Sequence, residues 1–266
     1  MQDGHPIIEL CDVHKQLGSL QVLRGVGLKL QRGQTTVVIG ESGVGKSVTL
    51  KHIIGLMKPD RGDVWFCSEG AFEGQRVRVP DLGPFQLVEL RKRFGFLFQM
   101  SALFDSMTAG ENVGFPLREH TKLKRAEIEE RVARKLSLVG LDGFQDERPA
   151  ELSGGQKKRV ALARAIALDP EVILYDEPTT GLDPVRADVI NELIRRLQAE
   201  LGVTSIVVTH DMASAYKVAD RIVMLHDGQF IADASPDEIR TSPDPRVQRF
   251  ITGHASEEDL APLKGS

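Results

Sequence analysis

The sequence predicts an α/β fold, in which buried strands of a parallel sheet alternate with helices. Short apolar runs that end in glycine or polar residues indicate the strands of this sheet. They are Thr35–Ile39, Val172–Tyr175 and Ser205–Val208. A glycine-rich segment follows the first of these runs and precedes a predicted helix over Ser47–Leu56. Together these features predict an α/β core that carries a glycine-rich loop.

The composition fits one large domain, or a core with a smaller lobe, since the chain has 266 residues, of which 41% are hydrophobic and 27% charged. The net charge of −4 gives no indication of a nucleic-acid partner. Met1–Pro6 is polar, and no apolar run approaches the roughly 20 residues that span a bilayer. We therefore expect no secretory signal and any membrane role to depend on a partner. Cys11 and Cys67 are expected to be reduced thiols, as in a cytosolic protein.

A helical lobe is predicted between Gln99 and Arg148, where Thr108 and Glu111 have the spacing of a capping box. Apolar residues follow helical spacing on one face of the lobe's longest helix. These are Ile128, Val132, Leu136 and Val139. Towards the end of the chain, His226–Gly228 predicts a hairpin turn, and a short helix and a frayed polar tail are expected after Pro236.

The glycine-rich loop matches the phosphate-binding pattern GxxxxGK[ST] from Gly40 to Ser47. Its glycines let successive backbone N–H groups face phosphate oxygens, and the following helix adds partial positive charge. Lys46 is expected to contact the β- and γ-phosphates, and Ser47 to bind Mg²⁺. The predicted nucleotide-binding residues of this segment are Gly40, Glu41, Ser42, Gly43, Val44, Gly45, Lys46, Ser47 and Val48.

Two carboxylates, Asp176 and Glu177, end the strand that begins at Val172. Side chains alternate along an extended segment, so these two are expected to point in different directions. Asp176 is predicted to hold Mg²⁺, and Glu177 to orient or deprotonate the attacking water.

A second anion site is predicted just before the helical segment Lys157–Leu168. Ser153 can cap this helix, and Gly154 and Gly155 leave backbone N–H groups accessible at its start. The basic residues at 157–159 either attract anions or form a solvated face. The five residues Leu152–Gln156, LSGGQ, are the signature sequence of ABC ATPases.

With these motifs the chain resembles an ABC transporter ATPase from about Ile7 to Ala234. The resemblance implies a P-loop NTPase core with a mixed sheet, an N-terminal antiparallel β subdomain and an inserted helical lobe at about 100–165. It also implies an ABC ATPase domain over 1–240 and a C-terminal extension over 241–266.

The resemblance implies further site residues. Gln99 matches the glutamine loop that contacts Mg²⁺ and water, Asp183 belongs to the D-loop, and His210 matches the switch histidine. Ser153, Gly154, Gly155 and Gln156 of one copy are implied to cap the ATP held by the other copy's P-loop. The family usually places an aromatic residue against adenine, but Leu17 occupies that position here, and Leu17 and Val22 are expected to give apolar contact without ring stacking.

The segments Phe98–Thr108 and Phe115–His120 resemble the corresponding part of Mla-type, Mce-associated phospholipid transporter ATPases. Pro243–Val247 is similar to the tail of that group. This resemblance implies a homodimer at the cytoplasmic face of the inner membrane, an integral-membrane permease dimer as its direct partner and a periplasmic Mce-type lipid-binding protein beyond it. Phe104 and Phe115 belong either to the core of the lobe or to a contact surface.

Other functions remain open at this point. An ABC importer ATPase for a small polar solute such as an amino acid is the main alternative, because the pattern QxxxLF also occurs in that group. An ABC protein that acts on DNA or ribosomes is disfavoured, since the chain has neither a long coiled-coil insertion nor two fused ATPase halves. A binding module without hydrolysis is disfavoured because Lys46, Asp176, Glu177 and His210 are all present.

Overall fold

The larger of two sheets forms the centre of the fold in the computed structural model, which describes residues 5–68 and 70–253. Its strand order is β10-β9-β3-β8-β7-β6, and β10 runs antiparallel to β9 while the other neighbours are parallel. The strands are β3 (Thr35–Ile39), β6 (Phe94–Leu97), β7 (Val172–Asp176), β8 (Thr204–Val208), β9 (Arg221–His226) and β10 (Gln229–Ala234). The predicted parallel core of β3, β7 and β8 and the predicted hairpin are confirmed, and the structure adds that β8 lies between β3 and β7.

The smaller sheet is antiparallel and has the order β2-β1-β4-β5. It confirms the antiparallel subdomain that the resemblance implied. Cys11 and Cys67 are free thiols in different strands of this sheet. The strands are β1 (Ile8–Leu17), β2 (Leu20–Leu30), β4 (Arg61–Cys67) and β5 (Arg76–Arg78).

Two hydrophobic clusters cover the two faces of the larger sheet. In β3, Val37 and Ile39 belong to the cluster on the side of the helical lobe, and Val38 belongs to the cluster shared with the smaller sheet. Successive side chains of a strand point to opposite faces, so a strand that is covered on both sides is apolar throughout. All five residues of β3 are buried for this reason.

The helices include the two whose bounds were predicted, Ser47–Leu56 and Lys157–Leu168, which begin one and three residues earlier than predicted and each end three residues earlier. The helices are α1 (Lys46–Ile53), α2 (Pro84–Arg91), α3 (Ala109–His120), α4 (Arg125–Leu138), α5 (Gly154–Ala165), α6 (Pro184–Leu201), α7 (Met212–Val218), α8 (Pro236–Arg240) and α9 (Pro245–Thr252). Within residues 5–68 and 70–253, no helix combines the length and the apolar character that a bilayer crossing requires. The polar tail that was expected to be frayed, 254–266, lies outside the described residues.

The helical lobe consists of α3, α4 and α5. The predicted capping box is present, since the Thr108 side chain accepts from the Glu111 N–H and the Glu111 carboxylate accepts from the Thr108 N–H. Asn112, which is fully buried, holds the loop before α3 by hydrogen bonds to both backbone groups of Phe104. These contacts fix the path of the chain between Gln99 and the lobe.

Candidate active site

The loop between β3 and α1 has a backbone that only glycine fits at two positions. A Cβ atom on Gly40 would lie 2.3 Å from the carbonyl oxygen of Leu225, and one on Gly45 would lie 2.8 Å from Val22 Cγ1. Gly45 also has φ of +114°, which L side chains rarely adopt. The glycines predicted to shape the phosphate cradle are therefore required by its geometry.

Lys46 folds back over this loop. Its ammonium donates to the carbonyl oxygens of Gly40, at 2.7 Å, and Glu41, at 2.9 Å, and lies 4.0 Å from Glu177 Oε1. Burial lowers the pKa of Lys46, and the charges of Glu177 and Asp176 act in the opposite direction. The ammonium is thus held among the loop carbonyls, close to where the glycine-rich loop would receive phosphate.

Asp176 ends β7 beside the start of α1. The Ser47 hydroxyl donates to its carboxylate over 2.8 Å. Burial raises the pKa of Asp176, and the Ser47 hydrogen bond partly offsets this by favouring the charged form. The structure therefore brings together the hydroxyl and the carboxylate that were predicted to bind Mg²⁺, and such oxygen donors are the kind that this ion prefers.

Glu177 is held by contacts on both carboxylate oxygens. His210 Nδ1 lies 3.0 Å from Oε1, and the hydroxyls of Thr180 and Thr209 each donate to Oε2 over 3.3 Å. The backbone of Glu177 has φ of +50°, in the left-handed region. Such strain in a non-glycine residue is often found at functional sites. As predicted, Asp176 and Glu177 point to different partners.

Lys46, Ser47, Glu177 and His210 line one cleft of about 360 Å³, and Asp176 is connected to it through the hydroxyl of Ser47. It is an open space beside the glycine-rich loop, and Val44 of that loop packs against the hydrophobic cluster below. The residues that line the cleft are Ser42, Gly43, Gly45, Lys46, Ser47, Val48, Gln99, Glu177 and His210.

The predicted second anion site lies at the start of α5, and among the described residues it contributes nothing to the lining of this cleft. Ser153 is the N-cap of α5 and accepts from the Gln156 N–H. Asp183 similarly caps α6 by accepting from the Arg186 N–H. A Cβ atom on Gly155 would lie 3.7 Å from the Arg186 side chain, so the two helix starts are neighbours. Within one chain, the P-loop and the second anion site do not share a pocket.

The two apolar residues predicted to contact adenine differ in accessibility. Leu17 is exposed over 43% of its surface. Val22 is only 6% exposed and lies beneath Gly45. Leu17 is therefore the more accessible of the two, and Val22 supports the P-loop from below.

Several contacts around the cleft and the helical lobe were missed by sequence reasoning. Lys158, for which an anion-attracting or solvated position was expected, is only 4% exposed, and its ammonium donates to the carbonyl oxygens of Gln99 and Glu177. Arg159 also departs from that expectation, since it donates to the carbonyls of Val139 and Gly140. No local pattern distinguishes a buried lysine from a solvated one in a run of basic residues. Thr180 and Thr209 were also missed because their contact with Glu177 depends on the packed sheet.

The sequence matches a known protein family over the part of the chain that contains this cleft. Residues 23–180 match the family model described as ABC transporter. The chain belongs to the ABC transporter family. As a member of that family it is the ATP-binding, ATP-hydrolysing subunit of an ABC transporter, and the predicted ABC ATPase fold is confirmed.

Individual relatives of this ABC ATPase extend over most of its length. It is 39% identical to the intermembrane phospholipid transport system ATP-binding protein MlaF of Escherichia coli strain K12, covering 94% of this chain and 90% of MlaF. It is 41% identical to the probable ribonucleotide transport ATP-binding protein mkl of Mycobacterium tuberculosis strain H37Rv, covering 94% of this chain and 68% of mkl.

A solved structure also matches this ABC ATPase. It is the dimeric, post-hydrolysis state of the ATP-binding cassette MJ0796 bound to ADP and phosphate. The TM-score is 0.76 at 34% identity, and the match covers 86% of this chain and 98% of that cassette.

Proposed function

We propose that this ATPase drives the movement of phospholipid between the inner and outer membranes, as a homodimer beneath a membrane permease. The observation that carries the proposal is the similarity to MlaF at 39% identity over 90% of that protein, which is named for intermembrane phospholipid transport. The segments after Gln99 that resemble Mla-type ATPases support it. In this proposal the ABC ATPase domain extends over 1–240, and 241–266 is a C-terminal extension.

The cleft geometry supports specific roles in ATP hydrolysis. The backbone of the P-loop and Lys46 bind the phosphates, Glu177 accepts a proton from the attacking water or orients it, and His210 contacts the γ-phosphate. Gln99, at the end of β6, lies where it can contact the same water and metal. The hydrogen bonds to Glu177 from His210 and from two threonine hydroxyls hold its carboxylate in place for this role.

The donor set beside the cleft fits Mg²⁺. Ser47 and Asp176, which already hydrogen-bond to each other, would hold the ion together with Gln99 and phosphate oxygens. When bound, Mg²⁺ neutralises the charge that develops on the transferred phosphoryl group.

A second copy of the chain completes the site in this proposal. The N–H groups at the start of α5 lie outside the P-loop cleft of their own chain, so we infer that Ser153–Gln156 contact the ATP held by the partner copy. The dimeric form of MJ0796 supports this arrangement. Asp183 lies next to the start of α5 and would belong to the same dimer interface.

A groove at the junction of the sheet and the helical lobe fits a permease. It has a volume of about 310 Å³, and Phe98 and Phe104 are 40% and 42% exposed on it. Phe115 contacts Phe104 with ring centroids 5.0 Å apart, and neither ring belongs to the two hydrophobic clusters, so both rings line a surface and are not part of the lobe's core. We propose that a cytoplasmic helix of the permease docks here and holds the ATPase at the cytoplasmic face of the inner membrane. A periplasmic Mce-type lipid-binding protein is the further partner proposed.

The proposal is tested by purifying the ATPase with its permease and identifying the bound cargo by mass spectrometry. Phospholipid in the complex, and phospholipid-dependent stimulation of ATP turnover after reconstitution, are the expected results. Binding of an amino acid or another polar solute by the permease, with no response of ATP turnover to phospholipid, would contradict the proposed cargo. Substitution of Phe104 with Asp should release the ATPase from the permease, whereas an unchanged complex would contradict docking in this groove.

A further inference from the structure

The buried ammonium of Lys158 connects three segments of the active site. Lys158 lies in the second turn of α5, whose first residues form the second anion site. Its Nζ atom donates to the carbonyl oxygen of Gln99 over 2.5 Å and to that of Glu177 over 3.5 Å. Helix α5, which begins within the LSGGQ segment, is called the signature helix. One side chain therefore links the signature helix to the main chain of Gln99 and Glu177, the two residues proposed to contact the attacking water.

The two segments that Lys158 contacts have unusual backbone conformations. Glu177 has φ of +50°, and Ser101 and Ala102, just after Gln99, have φ of +61° and +47°. Non-glycine residues adopt this left-handed region only where the surrounding structure holds them there. Arg164, also on α5, donates to the carbonyl oxygens of Ser101 and Ala102 at 2.8 and 2.6 Å. Helix α5 thus holds the loop after Gln99 at two places, and Lys158 extends the connection to Glu177.

The buried ammonium of Lys158 is stabilised by the main-chain carbonyls that it contacts. Removing an ammonium from water is costly unless acceptors replace the water. Burial lowers the pKa of Lys158, while the nearby charges of Glu177 and Asp176 raise it. The acceptors that replace water are the main-chain carbonyls of Gln99 and Glu177, so the contact restrains backbone position without involving the carboxylate of Glu177.

We propose that Lys158 is a positioning residue for ATP hydrolysis, which sets the backbone of Gln99 and Glu177 relative to the signature helix. The start of α5 is proposed to contact the partner's ATP. Through Lys158, the position that α5 takes in this contact then determines the backbone position of Gln99 and Glu177, which orient water in its own chain. The inference rests on the proposed roles of Gln99 and Glu177 and is independent of the cargo.

The test compares variants of the full-length protein in steady-state ATPase assays. Lys158→Met removes the donors and keeps the length of the side chain. We expect kcat to fall about 10- to 100-fold, since small displacements of positioned groups have effects of this size. The KM for ATP should change less than about twofold, because the P-loop is untouched. Lys158→Arg or Lys158→Gln, which restore donors, should recover at least part of the loss in kcat.

A matched control separates positioning from general stability. Lys135 is also buried, at 7% exposure, but its ammonium pairs with Asp169 in the lobe. Lys135→Met should lower the melting temperature as much as Lys158→Met or more, with kcat close to that of the unmodified protein. The proposal is overturned if Lys158→Met keeps full kcat, if KM rises as much as kcat falls, or if neither donor-bearing variant recovers activity. If Glu177→Gln is inactive and Lys158→Met is fully active, only the positioning role of Lys158 is rejected. If both variants are fully active, the proposed role of Glu177 is rejected as well.

Discussion

The ring nitrogen Nδ1 of His210 lies 3.0 Å from Oε1 of Glu177, at the ends of the neighbouring strands β8 and β7. The Glu177 side chain is only 11% exposed, whereas that of His210 is 53% exposed. The carboxylate is therefore held inside the cleft, and the imidazole lies at its mouth. This arrangement gives Glu177 a fixed orientation and leaves His210 free to contact a bound nucleotide.

Replacement of Glu177 with Gln should abolish most turnover and leave ATP binding intact. The amide is similar in size to the carboxylate but cannot accept a proton, and the loss of such a group typically reduces rates about 10²- to 10⁴-fold. ATPase assays and ATP-binding titrations measure the two effects. ATP should also accumulate a dimer, detectable by light scattering.

Glu200→Gln is a suitable control for that substitution, because Glu200 pairs with Arg196 on the exposed side of α6. It should retain full activity. Unchanged turnover in Glu177→Gln would show that another group accepts the proton from the attacking water or orients it.

Replacement of Asp176 with Asn should stabilise the fold while it impairs hydrolysis. Burial raises the pKa of Asp176 above its ordinary value of 3.8, so the folded chain binds this proton more tightly than the unfolded chain. The stability associated with the protonated form is present below pH 3.8 and is lost as the pH rises through the raised pKa. The uncharged amide avoids that loss, so the melting temperature at neutral pH should increase.

Thermal unfolding without nucleotide, in the presence of a chelator, measures this effect. The difference between Asp176→Asn and the unmodified chain should be largest at a pH above the raised pKa and should narrow as the pH falls through that pKa towards 3.8. A difference that is independent of pH, or a lower melting temperature at neutral pH, would contradict the burial argument.

Replacement of Leu17 with Tyr should strengthen ATP binding. Leu17 is exposed, and the family resemblance implies that adenine stacks at this position; aromatic stacking contributes about 0.5–1.5 kcal/mol. The dissociation constant for ATP should therefore fall about two- to tenfold. Leu201→Tyr is the control and should leave ATP affinity unchanged, because this exposed residue ends α6 just before β8, at the edge of the sheet opposite the cleft. If both substitutions changed the dissociation constant for ATP equally, this would contradict a contact between adenine and the side chain at position 17.

Replacement of Ser153 with Arg should prevent the ATP-driven dimer and leave nucleotide binding to the P-loop intact. The long cation would occupy the space over the N–H groups at the start of α5, and the loss of the N-cap would reduce stability by about 1 kcal/mol. Ser153→Ala loses the same cap without filling that space, so it should still dimerise. Light scattering in the Glu177→Gln background measures the ATP-driven dimerisation of both Ser153 variants. A dimer that persists in Ser153→Arg would contradict contact between the start of α5 and the partner's ATP.

The sequence predicted those parts of the site that depend on local chemistry. Gly40–Ser47 lies between a buried strand and a helix in the chain itself, so both the loop and the role of Lys46 follow from neighbouring residues. The apolar runs of β3, β7 and β8 predicted that these strands form a parallel core, but their order in the sheet came only from the structure. Lys158 was different, because its burial depends on how α5 packs against β6 and β7. Val22 likewise lies under Gly45 only because the smaller sheet packs against the larger one.

In the proposed dimer, two copies of the chain enclose each ATP, with the P-loop of one copy on one side and Ser153–Gln156 of the other copy on the opposite side. A structure of the Glu177→Gln variant with ATP and Mg²⁺ would show whether both copies contact the nucleotide. We expect the triphosphate to be contacted by Lys46 of one copy and by N–H groups at the start of α5 of its partner. ATP held by a single copy, with the signature helix of the other facing solvent, would contradict the account.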